Sequence, residues 1–147
     1  MNGRKTLAGL LTALLLGGPG LAAAADVLVY KSPTCGCCGA WVEHMRANGF
    51  NVVTRNVEDL APLKQRLGVS PQVASCHTAV VDGYVVEGHV PADVVEKLLS
   101  ERPAVTGIAA PGMPVGSPGM EVPGQPARPY TVVSFDDQGR VREYARR

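Results

Sequence analysis

Three of the four cysteines in this 147-residue chain stand at Cys35, Cys37 and Cys38, inside Ser32-Pro33-Thr34-Cys35-Gly36-Cys37-Cys38-Gly39. The stretch follows an apolar, β-prone run, Val27 to Tyr30, and precedes a helical pattern. A strand, a tight turn and a helix start would set the sulfurs beside unpaired backbone N–H groups and the positive end of a helix dipole. Both favour thiolate over thiol, so the sulfurs are expected to act as nucleophiles or metal ligands. A disulfide staple is the plainer alternative for an even cysteine count. It is disfavoured here, because adjacent Cys37 and Cys38 bridge only with strain and each pairing crowds a third thiol.

The elements that position this turn begin after a targeting segment. Arg4 and Lys5 precede the apolar run Leu7 to Leu16, then Gly17-Gly18-Pro19-Gly20, then an Ala23-x-Ala25 site. This pattern predicts a signal peptide over residues 1–25. Its apolar run of about ten residues is too short to span a bilayer, and no later segment is long and apolar enough. The remaining chain of about 122 residues suits one domain, exported to a compartment where disulfides are permitted. A formal net charge of +1 with scattered Lys and Arg excludes a nucleic-acid surface, which needs a basic stripe. The late group Arg140, Arg142, Arg146 and Arg147 reads as a solvated edge.

Gly39 to Asn48 carries Ala40, Trp41, Met45 and Ala47 at helical spacing, and Gly49 suits the left-handed residue that ends a helix. Phe50 to Val57 reads as a strand. A helix capped by Asp59 runs through Leu60, Leu63 and Leu67 to Gly68. Cys76 to Val81 and Tyr84 to Gly88, joined by Asp82-Gly83, form a hairpin, and Pro91 to Leu99 forms a further helix. The order β-α-β-α-β-β-α, with cysteines after the first strand, is an α/β pattern that resembles the thioredoxin and glutaredoxin folds.

From Arg102 to Pro129 glycine and proline dominate, and no regular helix or sheet is expected there. Tyr130 to Phe135 and Val141 to Ala145 then form a second hairpin. Long loops in small domains are functional or disordered. Met113 and Met120 point to function, since thioethers are soft ligands of the kind Cu(I) recruits. The plain alternative is that they pack beneath the loop. The expected organisation is therefore a signal peptide (1–25), a thioredoxin-like metal-binding domain (26–103) and a Gly/Pro/Met-rich C-terminal extension packing on the metal site and ending in a β-hairpin (104–147).

Four stretches in order carry a more specific resemblance: Val29 to Cys38, Ser75-Cys76-His77-Thr78, Glu87-Gly88-His89-Val90-Pro91, and Gly112 to Glu121. Together they resemble the CopG-like copper-resistance family. The resemblance implies a periplasmic, thioredoxin-like protein whose extension helps to bind metal and whose cysteines hold a thiolate-bridged, multinuclear copper cluster. It implies that Cys35, Cys37, Cys38 and Cys76 are metal ligands and that the role is redox handling of copper in detoxification.

Thioredoxin-like folds pack the loop before the third strand against the cysteine turn, commonly through a cis-proline. In this chain that loop is Cys76-His77-Thr78, so a fourth thiol faces the other three in place of a substrate groove. Converging sulfurs suit Cu(I), or tetrahedral Zn(II). Copper is preferred, because adjacent Cys37 and Cys38 favour bridging several ions. Strand alternation points His77 away from the Cys76 sulfur, in a supporting position. His89 sits between strand and helix on the ligand side of the fold, His44 is expected to be exposed, and Trp41 to pack in the core. The expected metal ligands are Cys35, Cys37, Cys38, Cys76, Met113 and Met120. The expected function is periplasmic copper binding with interconversion of Cu(I) and Cu(II), in a monomer serving a copper efflux system or carrier. The alternatives are a thiol-disulfide oxidoreductase using Cys35 and Cys38, and a non-enzymatic copper chaperone or buffer.

Overall fold

The computed structural model of the chain describes residues 25–147, so the expected signal peptide lies outside the described residues apart from Ala25. Strand β1 (Asp26–Lys31) buries Val27 and Val29 on one face, the two-residue repeat of a strand. It pairs in parallel with β2 (Asn51–Asn56), from Asp26 opposite Asn51 to Lys31 opposite Asn56. Parallel neighbours need a crossover, which is α1 (Gly36–Ala47). Cys38, Trp41, Val42 and Met45 recur at helical spacing and form its buried face. The helix closes as expected on Gly49, at φ +86°, with its N–H donating to the Arg46 carbonyl at 3.0 Å. Trp41 and Met45 are wholly buried, and burial of such side chains stabilises by about 1.5–3 kcal/mol each.

Helix α2 (Ala61–Arg66) starts one residue later than Asp59 would set it. Leu60 is the N-cap, while the Asp59 carboxylate accepts the Ala61 N–H at 2.9 Å. None of its residues is fully buried. Strands β3 (His77–Val81) and β4 (Tyr84–Glu87) form the expected hairpin, with Asp82 and Gly83 at φ +46° and +84°. Two consecutive left-handed residues give the turn whose twist matches the strands. Helix α3 (Ala92–Glu101) follows Pro91 and buries Val94, Val95 and Leu98.

The Gly/Pro-rich region differs from expectation, because it contains a strand. Residues Gly107–Ala109 form β5, parallel to β4. Glycine makes this possible, since a Cβ at position 107 would overlap the Val85 carbonyl. The strand is three residues long, and its only bulky member, Ile108, gives no alternation for a periodicity reading to find. Strands β6 (Thr131–Phe135) and β7 (Val141–Arg146) pair antiparallel and complete one mixed seven-stranded sheet, β2-β1-β3-β4-β5-β6-β7. Ile108, Ala110 and Val132 belong to the same buried cluster as Trp41 and Val29, so one core runs through both parts of the chain. No helix among the described residues is long and apolar enough to cross a membrane.

His44 is not the exposed residue the sequence suggests. Its ring is partly buried, and Nε2 accepts the Ala92 N–H at 3.1 Å, satisfying a donor at the start of α3. Burial holds its pKa below the ordinary 6.5, with Glu121 and Asp93 pulling the other way. The neutral ring is therefore the folded form. As pH falls below about 6.5 the unfolded chain takes up a proton that the folded chain resists, and the contribution of His44 to stability declines. Calorimetric melting from about pH 7 to about pH 5 is expected to show a smaller loss of Tm for His44→Gln than for the parent.

Candidate metal centre

The first turn of α1 presents three sulfurs, and the residue just before β3 presents the fourth. Cys37 Sγ lies 3.4 Å from Cys35 Sγ and 3.9 Å from Cys76 Sγ, and Cys38 Sγ lies 3.6 Å from Cys76 Sγ. The ligand atoms of Cys35, Cys37, Cys38 and Cys76 all fall within 4.8 Å of one another. The N-terminal cap is itself a cysteine: Cys35 Sγ accepts the Cys38 N–H at 3.3 Å.

The structure corrects the expectation of four free sulfurs. Cys35 and Cys38 form a disulfide, while Cys37 and Cys76 are free thiols. Strain disfavours a bridge between the adjacent pair Cys37 and Cys38, whereas residues three apart on a helical turn share a face. The Cα atoms of Cys35 and Cys38 are 5.4 Å apart, well within bridging range. Cys76 lies off that helix turn, and its thiol is pushed up to about 11, first by burial and then by Cys37 beside it. All four sulfurs can serve as donors only after two-electron reduction of the disulfide, and a bound cation would supply the positive charge that Cys76 lacks.

The histidines lie closer to the sulfurs than alternation implies. His77 Nδ1 is 3.5 Å from Cys76 Sγ. Cys76 precedes the first paired residue of β3, so strict alternation does not govern the two. The His77 ring is fully buried against Trp41, with centroids 4.5 Å apart, and Nε2 has no partner among the described residues. Burial, the neighbouring His89 and Lys64 hold its pKa down to about 3. His89 places Nε2 2.9 Å from Cys76 Sγ and Nδ1 2.8 Å from the Pro118 carbonyl. Its pKa is also lowered by burial, against the Pro118 bond and Glu121. Both rings are therefore neutral, the form in which imidazole binds metals. Trp41 packs in the core as expected and donates to the Val90 carbonyl at 2.8 Å.

Sequence reasoning missed the residue that holds this loop. The buried Glu87 carboxylate accepts the Ser75 N–H at 2.7 Å, the Thr78 hydroxyl at 2.7 Å, and the Lys64 ammonium. Ser75 and Thr78 flank Cys76 and His77, so one carboxylate grips the dipeptide from both sides. Glu87 opens one of the four resemblance stretches and ends an apolar strand, but nothing local paired it with Lys64.

The extension reaches the same place. The Gly112 N–H donates to the Ala74 carbonyl at 3.1 Å, and the Ser75 hydroxyl donates to the Gly112 carbonyl. A Cβ on Gly119, at φ +85°, would stand 2.6 Å from the Cys37 carbonyl oxygen and 2.9 Å from the Trp41 nitrogen, so the segment lies directly on the start of α1. Met120 follows this contact and is partly buried, whereas Met113 is 54% exposed. The structure brings together the four cysteines, His77 and His89, and brings the glycine before each methionine, Gly112 and Gly119, to the edges of the cluster.

A family model described as a protein of unknown function, DUF411, matches residues 73–120, the span from the Cys76 loop to Met120. Two solved structures of copper resistance protein CopG, Form 1 and Form 2, are similar to this chain at TM-score 0.79 and 44% identity, each over 84% of this chain and 98% of its own. The comparison with curated proteins finds no match.

Replacing Glu87 by Gln keeps an acceptor but removes the charge facing Lys64. Denaturant unfolding is expected to show a loss of about 1–3 kcal/mol. Glu143→Gln, which breaks the exposed pair with Arg146, should change stability by less than about 0.5 kcal/mol.

Proposed function

The chain belongs to the family of copper resistance protein CopG, and on that premise we propose that it holds copper in the thiolate site of Cys35, Cys37, Cys38 and Cys76 and interconverts Cu(I) and Cu(II) in the periplasm. The observation that carries this reading is the convergence of four sulfurs within 4.8 Å on the start of one helix. Thiolates are soft donors that favour Cu(I), and adjacent cysteines suit bridging of several ions. Copper is then the cargo and substrate of the site.

The Cys35–Cys38 pair supplies a balance for the redox step. Closing the disulfide from two thiolates forms one S–S bond and releases two electrons, enough to reduce two Cu(II) to two Cu(I). Reopening it takes two electrons from a dithiol reductant, which leaves as its own disulfide. The site thus stores electrons and provides soft ligands at different stages of one cycle. In this reading the core to Pro103 is thioredoxin-like, the extension from Ala104 covers the metal site, and the monomer passes copper to an efflux system or carrier. Met120, next to the Gly119 contact, is the first candidate thioether ligand, with Met113 the second.

A thiol-disulfide oxidoreductase is the competing reading, favoured by a disulfide on the first turn of α1 with the Cys76 sulfur 3.6 Å from Cys38 Sγ. Metal-free protein that reduces insulin disulfides catalytically would favour it over copper chemistry.

Anaerobic Cu(I) titration of the reduced protein against a competing chelator tests the copper site. Cys76→Ser is expected to lower stoichiometry or weaken affinity by about tenfold or more. Binding equal to the parent would exclude the shared site. Substituting both Met113 and Met120 with Leu keeps apolar bulk and should change unfolding free energy by less than about 1.5 kcal/mol. A weakened Cu(I) affinity or altered visible spectrum in that variant is the expected sign of thioether ligation, and unchanged values would assign both residues to packing.

A further inference from the structure

Helix α2 reaches the Cys76 loop by one side chain. The Lys64 ammonium donates to the Thr78 hydroxyl at 2.9 Å and to the Glu87 carboxylate, and among the described residues no other hydrogen bond joins α2 to either. An ammonium can only donate, so Thr78 Oγ1 accepts from Lys64 and gives its own proton to Glu87 Oε2, 2.7 Å away. Lys64, Thr78 and Glu87 thus close a ring of fixed polarity. Glu87 Oε1, which meets Lys64, also takes the Ser75 N–H at 2.7 Å. Glu87 is wholly buried, and Lys64, with its side chain 14% exposed, is the only cation paired with it among the described residues. No residue of α2 is fully buried, and a groove of about 610 Å³ lined by Ala61, Lys64, Gln65, Val69, Pro71 and Ala74 opens between the helix and the chain leading to Cys76. The helix is therefore joined to the loop by charge and hydrogen bonds rather than by close packing.

We propose that Lys64 is a positioning residue of the cysteine site: acting through Glu87 and Thr78, it sets where the Cys76 sulfur stands relative to Cys37 and Cys38. Deleting the ammonium leaves a buried carboxylate without its counter-charge, which is costly. The fold relieves that cost by drawing water to Glu87, at the expense of its bonds to Ser75 and Thr78. The loop then keeps its backbone bonds at Ala74 and His77 but loses the side-chain anchors on both flanks of Cys76-His77. Cys76 Sγ, which stands 3.9 Å from Cys37 Sγ and 3.6 Å from Cys38 Sγ, is no longer held in reach of both. A residue on an element that carries no sulfur thus controls the geometry of the fourth donor. The consequence for copper rests on the function proposed above, but the consequence for the Cys76 thiol does not.

The first arm of the test uses the metal-free disulfide form, whose two free thiols are Cys37 and Cys76. Iodoacetamide labelling of each thiol is followed by peptide mass analysis, well below the melting temperature of every variant. Lys64→Met is expected to label Cys76 about threefold or more faster than the parent, with the Cys37 rate little changed. Lys64→Arg, which keeps the cation and its donors, should stay near the parent rate. Phe135→Leu trims the buried cluster of Val69 and Val73 without touching Lys64 or Glu87, so it should lower Tm and leave the Cys76 rate alone. Lys64→Met and Glu87→Gln are expected to be non-additive, because each removes half of one pair. An unchanged Cys76 rate in Lys64→Met, or an equal rise in Phe135→Leu, would overturn the proposal. If Lys64→Met does not fold, Lys64→Gln, which keeps a neutral donor, decides by the same comparison. In the second arm, reduced Lys64→Met is expected to bind Cu(I) about tenfold or more weakly than the parent; affinity equal to the parent would remove Lys64 from the site. A parent that binds no Cu(I) while its Cys76 responds to Lys64→Met counts against the copper function alone, and the converse counts against the role of Lys64 alone.

Discussion

The metal centre depends on a carboxylate that touches no sulfur. Glu87 sits fully buried at the end of β4, where an isolated charge would be costly, and it meets that cost with three donors. Two of those donors belong to Ser75 and Thr78, so the interaction that satisfies the carboxylate also fixes the chain on both sides of Cys76-His77. Without it the Cys76 sulfur would lose the side-chain anchors on both sides of Cys76-His77 and keep only the backbone bonds of Ala74 and His77. Lys64, the third donor, ties α2 to the same point and gives a helix with no fully buried residue a task in the fold.

The extension completes the arrangement from the other side. Its anchors are backbone groups: the Gly112 N–H and carbonyl at Ala74 and Ser75, the Pro118 carbonyl at His89, and the close passage of Gly119 over α1. A backbone can approach this closely only where side chains are absent, and for that reason glycine stands at the contact. Strand β5 anchors the start of the extension by joining β4, the strand that ends in Glu87. The sheet and the site are therefore coupled through two adjacent strands.

Oxidation state changes what this assembly offers a cation. With Cys35–Cys38 closed, the remaining donors are two thiols and two neutral rings in a buried setting. With it open, two more thiolates join at the positive end of a helix dipole. The difference between these states is one of charge and softness, while the groups that hold the Cys76 loop, Glu87 and Gly112, take no part in the disulfide.

The sequence by itself determined the element order as far as α3, the cysteine turn at the start of α1, the Asp82-Gly83 hairpin and, through the strand order of a thioredoxin-like fold, the convergence of Cys76 with the other cysteines. All of these follow from hydrophobic period, turn chemistry and strand order, which act between near neighbours or through general rules of chain connection. Other features were decided by tertiary structure alone. The Cys35–Cys38 bond, the half-buried His44, the strand at Gly107–Ala109 and the approach of His77 to Cys76 each departed from the local reading. The grip of Glu87 on Ser75 spans 12 residues and the Pro118 bond to His89 spans 29. No local preference favours either, because each exists only where packing leaves one buried donor a single acceptor within reach.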